Sequence, residues 1–268
     1  MLNIENLPFY NLLPVGVCSF KHFENALIPC RAINRIPDNA KSVIVYLFPY
    51  YLGEENYKNI NLSKYAVSED YHIICGEYLK KAAAELSLLY PQNSFSCFCD
   101  NSPIDEVKAA CLAALGVKGE NSLFINEEYG SFCFIGEIVT DLELPCENGE
   151  IKGCIKCGKC KSTCINNALC NGSVEKERCL SSITQKKGEL TAEEEALIRK
   201  NGCVWGCDIC QNVCPMNENI KATPIPEFYK NAKANYEGEA DYNEKRAFSW
   251  RKAEVINRNL KILCCKNE

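Results

Sequence analysis

Ten cysteines fall within the 61 residues from Cys154 to Cys214, and their spacing is the strongest chemical signal in the chain. Cys154, Cys157, Cys160 and Cys164 form a Cys-x2-Cys-x2-Cys-x3-Cys run, and Cys207, Cys210 and Cys214 form Cys-x2-Cys-x3-Cys-Pro, with Cys179 alone between them. Two-residue gaps let three thiolates take three corners of one 4Fe–4S cube, while the fourth cysteine of the run points to a second cube. That exchange assigns Cys154, Cys157, Cys160 and Cys214 to one cluster, and Cys164, Cys179, Cys207 and Cys210 to the other. Structural zinc also uses Cys-x2-Cys pairs, but three thiolates at strict two-residue intervals suit a cube better than a tetrahedral ion. Ile165 stands where proline commonly follows the first run, which loosens the turn without removing a ligand.

The remaining cysteines of the 20 lie mostly among Phe, Ile, Leu and Ala, where the thiol acts as a small buried hydrophobe, with Cys203 and the Cys264–Cys265 pair set apart. A chain of 268 residues that is 47% apolar can bury a substantial core and does not need disulfides to fold. The N-terminal stretch has no basic, apolar and small-residue succession of a secretory signal, so the expectation is a reduced, cytoplasmic, monomeric protein without a membrane segment. A formal charge of −5 carries no global field for nucleic acid. No Gly-rich dinucleotide or phosphate loop is present, and two histidines, His22 and His72, exclude a histidine-rich metal site.

Two adjacent clusters make an electron wire, and the elements around them must supply its terminus. The composition shift at 146–153 divides the chain into 1–148, a cysteine-rich part at 149–222, and a C-terminal helical segment at 223–268. The first part reads as mixed α and β, of the α+β or α/β class. Strands are expected at 15–20, 42–48, 95–99, 122–125 and 132–141, and a helix at 69–89 capped by Ser68. A second helix, with Ser102 at the cap and Pro103 at the first turn, is expected to run to Leu115 and stop at Gly116. Asp70-Tyr71-His72 has the Asp-x-His start of a cobalamin-ligating motif, but Cys75 replaces its glycine, so the triplet reads as capping and surface chemistry.

With these residues in view the chain resembles the epoxyqueuosine reductase family, cobalamin- and iron–sulfur-dependent enzymes of tRNA queuosine synthesis. The likeness runs through Lys64-Tyr65-Ala66, Cys99-Asp100-Asn101-Ser102-Pro103 and Leu115–Leu123. It continues through Phe134–Leu142, both cysteine runs, Arg178-Cys179-Leu180-Ser181, Ser249-Trp250-Arg251 and Asn257-Arg258-Asn259. The resemblance implies an N-terminal cobalamin-binding domain capped by a ferredoxin-like domain, with Asp100 as proton donor to the opening epoxide. Burial among Cys97, Phe98 and Cys99 is expected to raise the carboxyl's pKa. Cobalamin contacts carried over are Lys64, Asp100, Phe124, Ile135, Ile138, Ser181, Cys207 and Asp208, and tRNA contacts are Ser182 and Thr184. Implied partners are tRNA carrying epoxyqueuosine and an external electron donor such as a flavodoxin or ferredoxin.

Departures from the family pattern are Lys64 for arginine, Val117 for tryptophan and Glu120 for lysine, and no helical-repeat extension follows Asn259. Lys245, Arg246, Arg251, Lys252, Arg258, Lys261 and Lys266 form a basic strip, readable as a phosphate-binding face or an ordinary solvated helix. Two other readings are a cobalamin-dependent reductase of a small molecule and a dicluster electron carrier without cobalamin.

Overall fold

The computed structural model describes residues 3–146 and 149–265. Its central sheet contains β1 (Val15–Ser19), β2 (Ser42–Pro49) and β3 (Phe95–Cys99). Two short strands follow, β4 (Val117–Lys118) and β5 (Phe124–Ile125), before β6 (Cys133–Thr140) completes the sheet. The order is β1-β2-β6-β3, and every pairing is antiparallel. Of the two classes the sequence allows, this sheet is of the α+β kind.

Each residue of β2 is buried, because helices cover both faces. Ile44, Tyr46 and Phe48 pack with α1 (Tyr71–Leu89), while Val43, Val45 and Leu47 pack with α2 (Glu106–Leu112). Alternate side chains of a strand point to opposite faces, so one apolar run feeds two cores. α1 begins two residues later than expected. Asp70 is its cap and accepts from the His72 N–H at 3.0 Å, while the Ser68 hydroxyl donates to the Phe228 carbonyl at 2.6 Å. α2 is likewise capped by Asp105, not Ser102, and ends at Leu112. Ser102 is instead turned inward toward β6, and of residues 122–125 only Phe124 and Ile125 form a strand.

The cysteine-rich part is built from short pieces: α3 (Lys159–Thr163), β7 (Leu169–Cys170), β8 (Ser173–Val174), α4 (Leu180–Thr184), α5 (Ala192–Asn201) and α6 (Ile209–Asn212). α7 (Ala253–Cys264) closes the described chain. Trp205, Phe228, Tyr236, Phe248 and Ile256 share one core with Tyr46, Leu62 and Tyr78, so the C-terminal segment is packed against the sheet domain. Asn259 is fully buried and its amide donates to the Thr184 and Val204 carbonyls at 2.7 and 2.8 Å, joining α7 to the cysteine-rich part. The basic strip is accordingly interrupted. Arg246 is buried and donates to Ala66 and Lys233 carbonyls, Arg258 donates to those of Lys186 and Gly188, and Lys266 lies outside the described residues. Among the remaining cysteines Cys18, Cys75 and Cys111 are buried as expected, Cys203, set apart in the sequence, is buried as well, and Cys146, Cys170, Cys264 and Cys265 are exposed. Among the described residues no helix is long and apolar enough to cross a membrane.

The tightest joint between sheet and helix is at Gly16, where an added Cβ would lie 2.3 Å from the Ala113 carbonyl oxygen at the end of α2. Backbone on both sides cannot yield cheaply. Gly16→Ala is expected to lower stability by about 1–3 kcal/mol in chemical denaturation, and an unchanged midpoint would contradict this packing.

Candidate functional site

The eight motif cysteines separate into two groups in space. Cys154, Cys157, Cys160 and Cys214 line one small cavity beneath Gly119, Asn121 and Ile125. Cys164, Cys179, Cys207 and Cys210 line a second cavity of about 420 Å³. The left-handed Gly158 (φ 75°) starts the short helix carrying Cys160, and Gly206 (φ 78°) precedes Cys207, whose turn presses on Ser63 and Tyr65. Four cysteines lining each cavity offer the donor chemistry of a 4Fe–4S cube.

The larger cavity lies between the cysteine-rich part and the end of the sheet. Tyr50, Tyr65 and Phe134 line one side, and Leu169, Leu180 and Ser181 the other. Of the expected cobalamin contacts, Ser181 and Cys207 line it and Asp100 does not, while Ser182, expected at tRNA, lines it too. Asp208 sits just behind, accepting from the Ser63 hydroxyl at 2.5 Å and the Lys64 N–H at 2.6 Å. Lys64 is buried, its ammonium donating to Asn212 Oδ1 at 2.6 Å and lying over the Tyr57 and Phe132 rings. Phe124, Ile135 and Ile138 are core residues and do not line this cavity. Thr184 is fully buried, its hydroxyl accepting from the Gly206 N–H and donating to the Ser181 carbonyl, so it is placed in the interior.

From the cavity wall a column of rings leads to Asp100. Tyr50 and Phe134 have centroids 4.4 Å apart, Tyr71 lies nearly parallel on Phe134 at 4.0 Å, and His72 stacks on Tyr71 at 4.0 Å. The Tyr71 hydroxyl donates to Asp100 Oδ2 at 3.0 Å. His72 bridges two carboxylates, with Nδ1 2.7 Å from Asp70 Oδ1 and Nε2 3.2 Å from Asp100 Oδ2. Burial disfavours charge on His72, but hydrogen bonds to Asp100 and Asp70 and the Asp70 charge outweigh it and raise the imidazole to about 10. The same hydrogen bond from His72 holds the Asp100 carboxyl below the usual carboxylate range, against partial burial and with help from Tyr71.

The expected upward shift of Asp100 is therefore corrected. Its side chain is 63% exposed and doubly hydrogen-bonded in its ionised form, so proximity to Phe98 does not dominate. His72 and Tyr71 were the residues that sequence reasoning passed over. The Asp-x-His triplet carried the signal, but its place in the first turn of α1 pointed to capping alone. Asp70 does both, binding the His72 N–H and its ring.

Beneath Asp100 (φ 62°) lies a carboxyl that the sequence did not single out. Glu137 of β6 is fully buried. Its Oε2 accepts from the Ser102 hydroxyl at 2.5 Å, while Oε1 has no hydrogen-bond partner among the described residues. Burial pushes its pKa up to about 8, and burial together with the charge of Glu137 raises Glu106 as well. The Ser102–Glu137 bond ties the loop bearing Asp100 to the middle of the sheet.

Residues 153–217 match the family model "4Fe-4S double cluster binding domain", and residues 31–101 match "Epoxyqueuosine reductase QueG, DUF1730". The epoxyqueuosine reductase of Leadbetterella byssophila is 33% identical over 215 residues, covering 78% of this chain and 68% of that protein. Those of Aliivibrio fischeri and Cyclobacterium marinum are 34% and 33% identical, covering 69% and 75% of this chain. The chain spans 51% and 64% of the length of these two relatives. The solved epoxyqueuosine reductase of Streptococcus thermophilus superposes with a TM-score of 0.74 at 24% identity, over 93% of this chain and 76% of that one. One from Bacillus subtilis, described with its catalytic loop swung out of the active site, gives 0.77 at 20% identity over 95% of this chain and 78% of that one.

Two measurements check the electrostatics. His72, raised to about 10, is protonated in the fold above pH 6.5, and its contribution to stability is lost as pH rises from 6.5 through about 10. In Asp100→Asn its NMR titration midpoint is expected to fall by about one unit or more, and an unmoved midpoint contradicts the clamp. Glu137 ionises at 4.5 when unfolded and about 8 when folded, so stability declines across that interval. Glu137→Gln is expected to flatten that decline in urea titrations, and an unchanged slope contradicts a buried neutral acid.

Proposed function

As the chain belongs to the epoxyqueuosine reductase family, we propose that it reduces the epoxide of epoxyqueuosine in tRNA to the cyclopentene of queuosine. The observation that carries the reading is the column of rings that leads from the Cys164, Cys179, Cys207 and Cys210 cavity through Phe134 and Tyr71 to Asp100. Asp100 does not itself line that cavity, but the column joins the thiol set to an acid, which an electron carrier has no use for. A relative solved with an epoxyqueuosine-modified tRNA-Tyr stem loop supports the substrate. In this reading residues 1–148 bind cobalamin and substrate, 149–222 hold the clusters, and the protein works in the cytoplasm.

Residues on the cavity suit the groups the family uses. Cys154, Cys157, Cys160 and Cys214 would hold one 4Fe–4S cluster, and Cys164, Cys179, Cys207 and Cys210 the other. Tyr50, Tyr65, Phe134 and Leu180 give the cavity ring and aliphatic surface against which a flat macrocycle can be buried, with Ser181 and Cys207 at its edge. When bound, these groups would supply single electrons and the reducing chemistry of cobalt.

The protein's own part is the handling of protons. Two electrons and two protons convert the epoxide to an alkene and release its oxygen as water. Opening the ring develops negative charge on that oxygen, which a positioned acid stabilises and protonates. Asp100 stands exposed at the far end of the ring column, and the His72 imidazolium hydrogen-bonded to Oδ2 is its source of protons. Tyr71 fixes the same oxygen, and the Ser102–Glu137 bond fixes the loop.

In an anaerobic assay of the cluster- and cobalamin-loaded protein on an epoxyqueuosine stem-loop, Asp100→Asn is expected to slow queuosine formation by about 10²-fold or more. Its iron content should stay near that of the wild type. An equally active variant would remove Asp100 from the mechanism. A fully loaded wild type that forms no queuosine would remove the substrate.

A further inference from the structure

The two thiol sets differ in their access to solvent. Cys157 is exposed, whereas the other seven motif cysteines are half-buried. The set containing Cys157 sits by the surface, and the set with Cys164 and Cys207 faces the large cavity. Beside the outer set runs a groove of about 400 Å³, lined by Lys118, Lys152, Lys156, Ile151, Glu120 and Cys154 among others. Its floor is fixed by backbone pairing: the Lys118 N–H donates to the Lys152 carbonyl at 2.9 Å, and the Cys154 N–H to that of Lys118 at 3.0 Å.

The groove's charge is opposite to that of the whole chain. Its lining acid, Glu120, is paired with Lys161 at 3.2 Å, and Lys152 is paired with the exposed Glu150 at 4.0 Å. Lys118 and Lys156 have no ion-pair partner among the described residues, and Lys159 is exposed two residues beyond Cys157. Two apolar side chains stand in solvent on the same stretch, Ile151 at 53% and Ile155 at 61% exposure. On a chain of net charge −5, a basic groove with exposed isoleucines beside an exposed cluster cysteine is a local construction.

We propose that this groove is the docking site of a small acidic one-electron carrier protein, which delivers electrons at the Cys157 side. The proposal rests on the reading that the motif cysteines hold clusters. Lysines steer an acidic partner and orient it, and the isoleucines supply the apolar contact that a brief encounter complex needs. A nucleic-acid backbone would use the lysines and leave the isoleucines in water, so the pattern favours a protein. Each docking oxidises one reduced carrier by one electron. Two dockings match the two electrons that, with two protons, release the epoxide oxygen as water.

The test uses the wild type and a Lys118→Glu/Lys152→Glu/Lys156→Glu variant, both loaded with clusters before mixing. A reduced acidic [2Fe–2S] ferredoxin is the probe, and bleaching of cluster absorbance is followed by stopped flow while binding is measured by calorimetry. The wild-type rate is expected to fall as salt rises, and the variant's low-salt rate to be lower by about tenfold or more, with weakened binding. Photoreduction by a deazaflavin should proceed equally in both. Equal ferredoxin rates at low salt would overturn the proposal. So would a variant that keeps those rates but loses affinity for the epoxyqueuosine stem-loop, which would assign the groove to RNA. No tRNA enters the reduction assay, so a chain inactive on epoxyqueuosine would still show the carrier effect.

Discussion

A sheet covered on both faces has no solvated side, and the rest of this molecule is arranged around that constraint. β2 and β6 lie at its centre, and their alternate side chains feed the cores under α1 and α2. A polar group there must find a partner inside or lose its charge. Glu137 does both. It sits opposite Val45 and Phe98, accepts one hydrogen bond from Ser102, and is neutral at pH 7 because burial outweighs that bond. The hydroxyl it needs comes from the loop that follows β3, so satisfying a buried acid also fixes the segment that holds Asp100.

The same constraint shapes the cavity. The end of β6 supplies Cys133 and Phe134 to its wall, and the chain after β2 supplies Tyr50. The Phe134 ring is therefore shared between an apolar cavity and the Tyr71–His72 stack on α1. Ring stacking contributes about 0.5–1.5 kcal/mol per pair beyond burial, enough to hold Tyr71 with its hydroxyl toward Asp100. The cysteine-rich part is locked on through Ser63 and Lys64, whose hydroxyl and N–H both go to Asp208, next to Cys207.

Cysteine spacing predicted two sets of four, and the two cavities gather the same residues, because two-residue gaps leave a short loop few other ways to converge its thiols. β3 was legible to the residue, since Phe95–Cys99 is bounded by Asn93-Ser94 and by Asp100. Helix starts were less so: Ser68 and Ser102 have the composition of caps, but tertiary partners, the Phe228 carbonyl and Glu137, took their hydroxyls. Those partners are 160 and 35 residues away, a distance local patterns do not encode. Asp100 was identified by resemblance, yet its charge state was misjudged because adjacent apolar residues say nothing of a histidine 28 positions earlier. Glu137 was hidden for the same reason. A glutamate within an apolar strand signals a buried acid only once both sheet faces are known to be covered.

An acid that is ionised in the open site can still be the donor, given how an Asp–His–Asp clamp responds to the loss of water. His72 and Asp100 are 46% and 63% exposed, and water screens the ion pair they form. In the proposed function a substrate lying over Asp100 would remove that water, and an ion pair with imperfect geometry is poorly compensated when desolvated. Moving the proton from Nε2 to Oδ2 neutralises both groups at once, which desolvation favours for a carboxylate and an imidazolium alike. Asp70, bound to Nδ1, would keep the ring oriented through such a transfer and oppose it with its own charge, so that desolvation would favour the step. In the proposed function the charged arrangement is thus the loaded state of a donor that substrate binding would discharge.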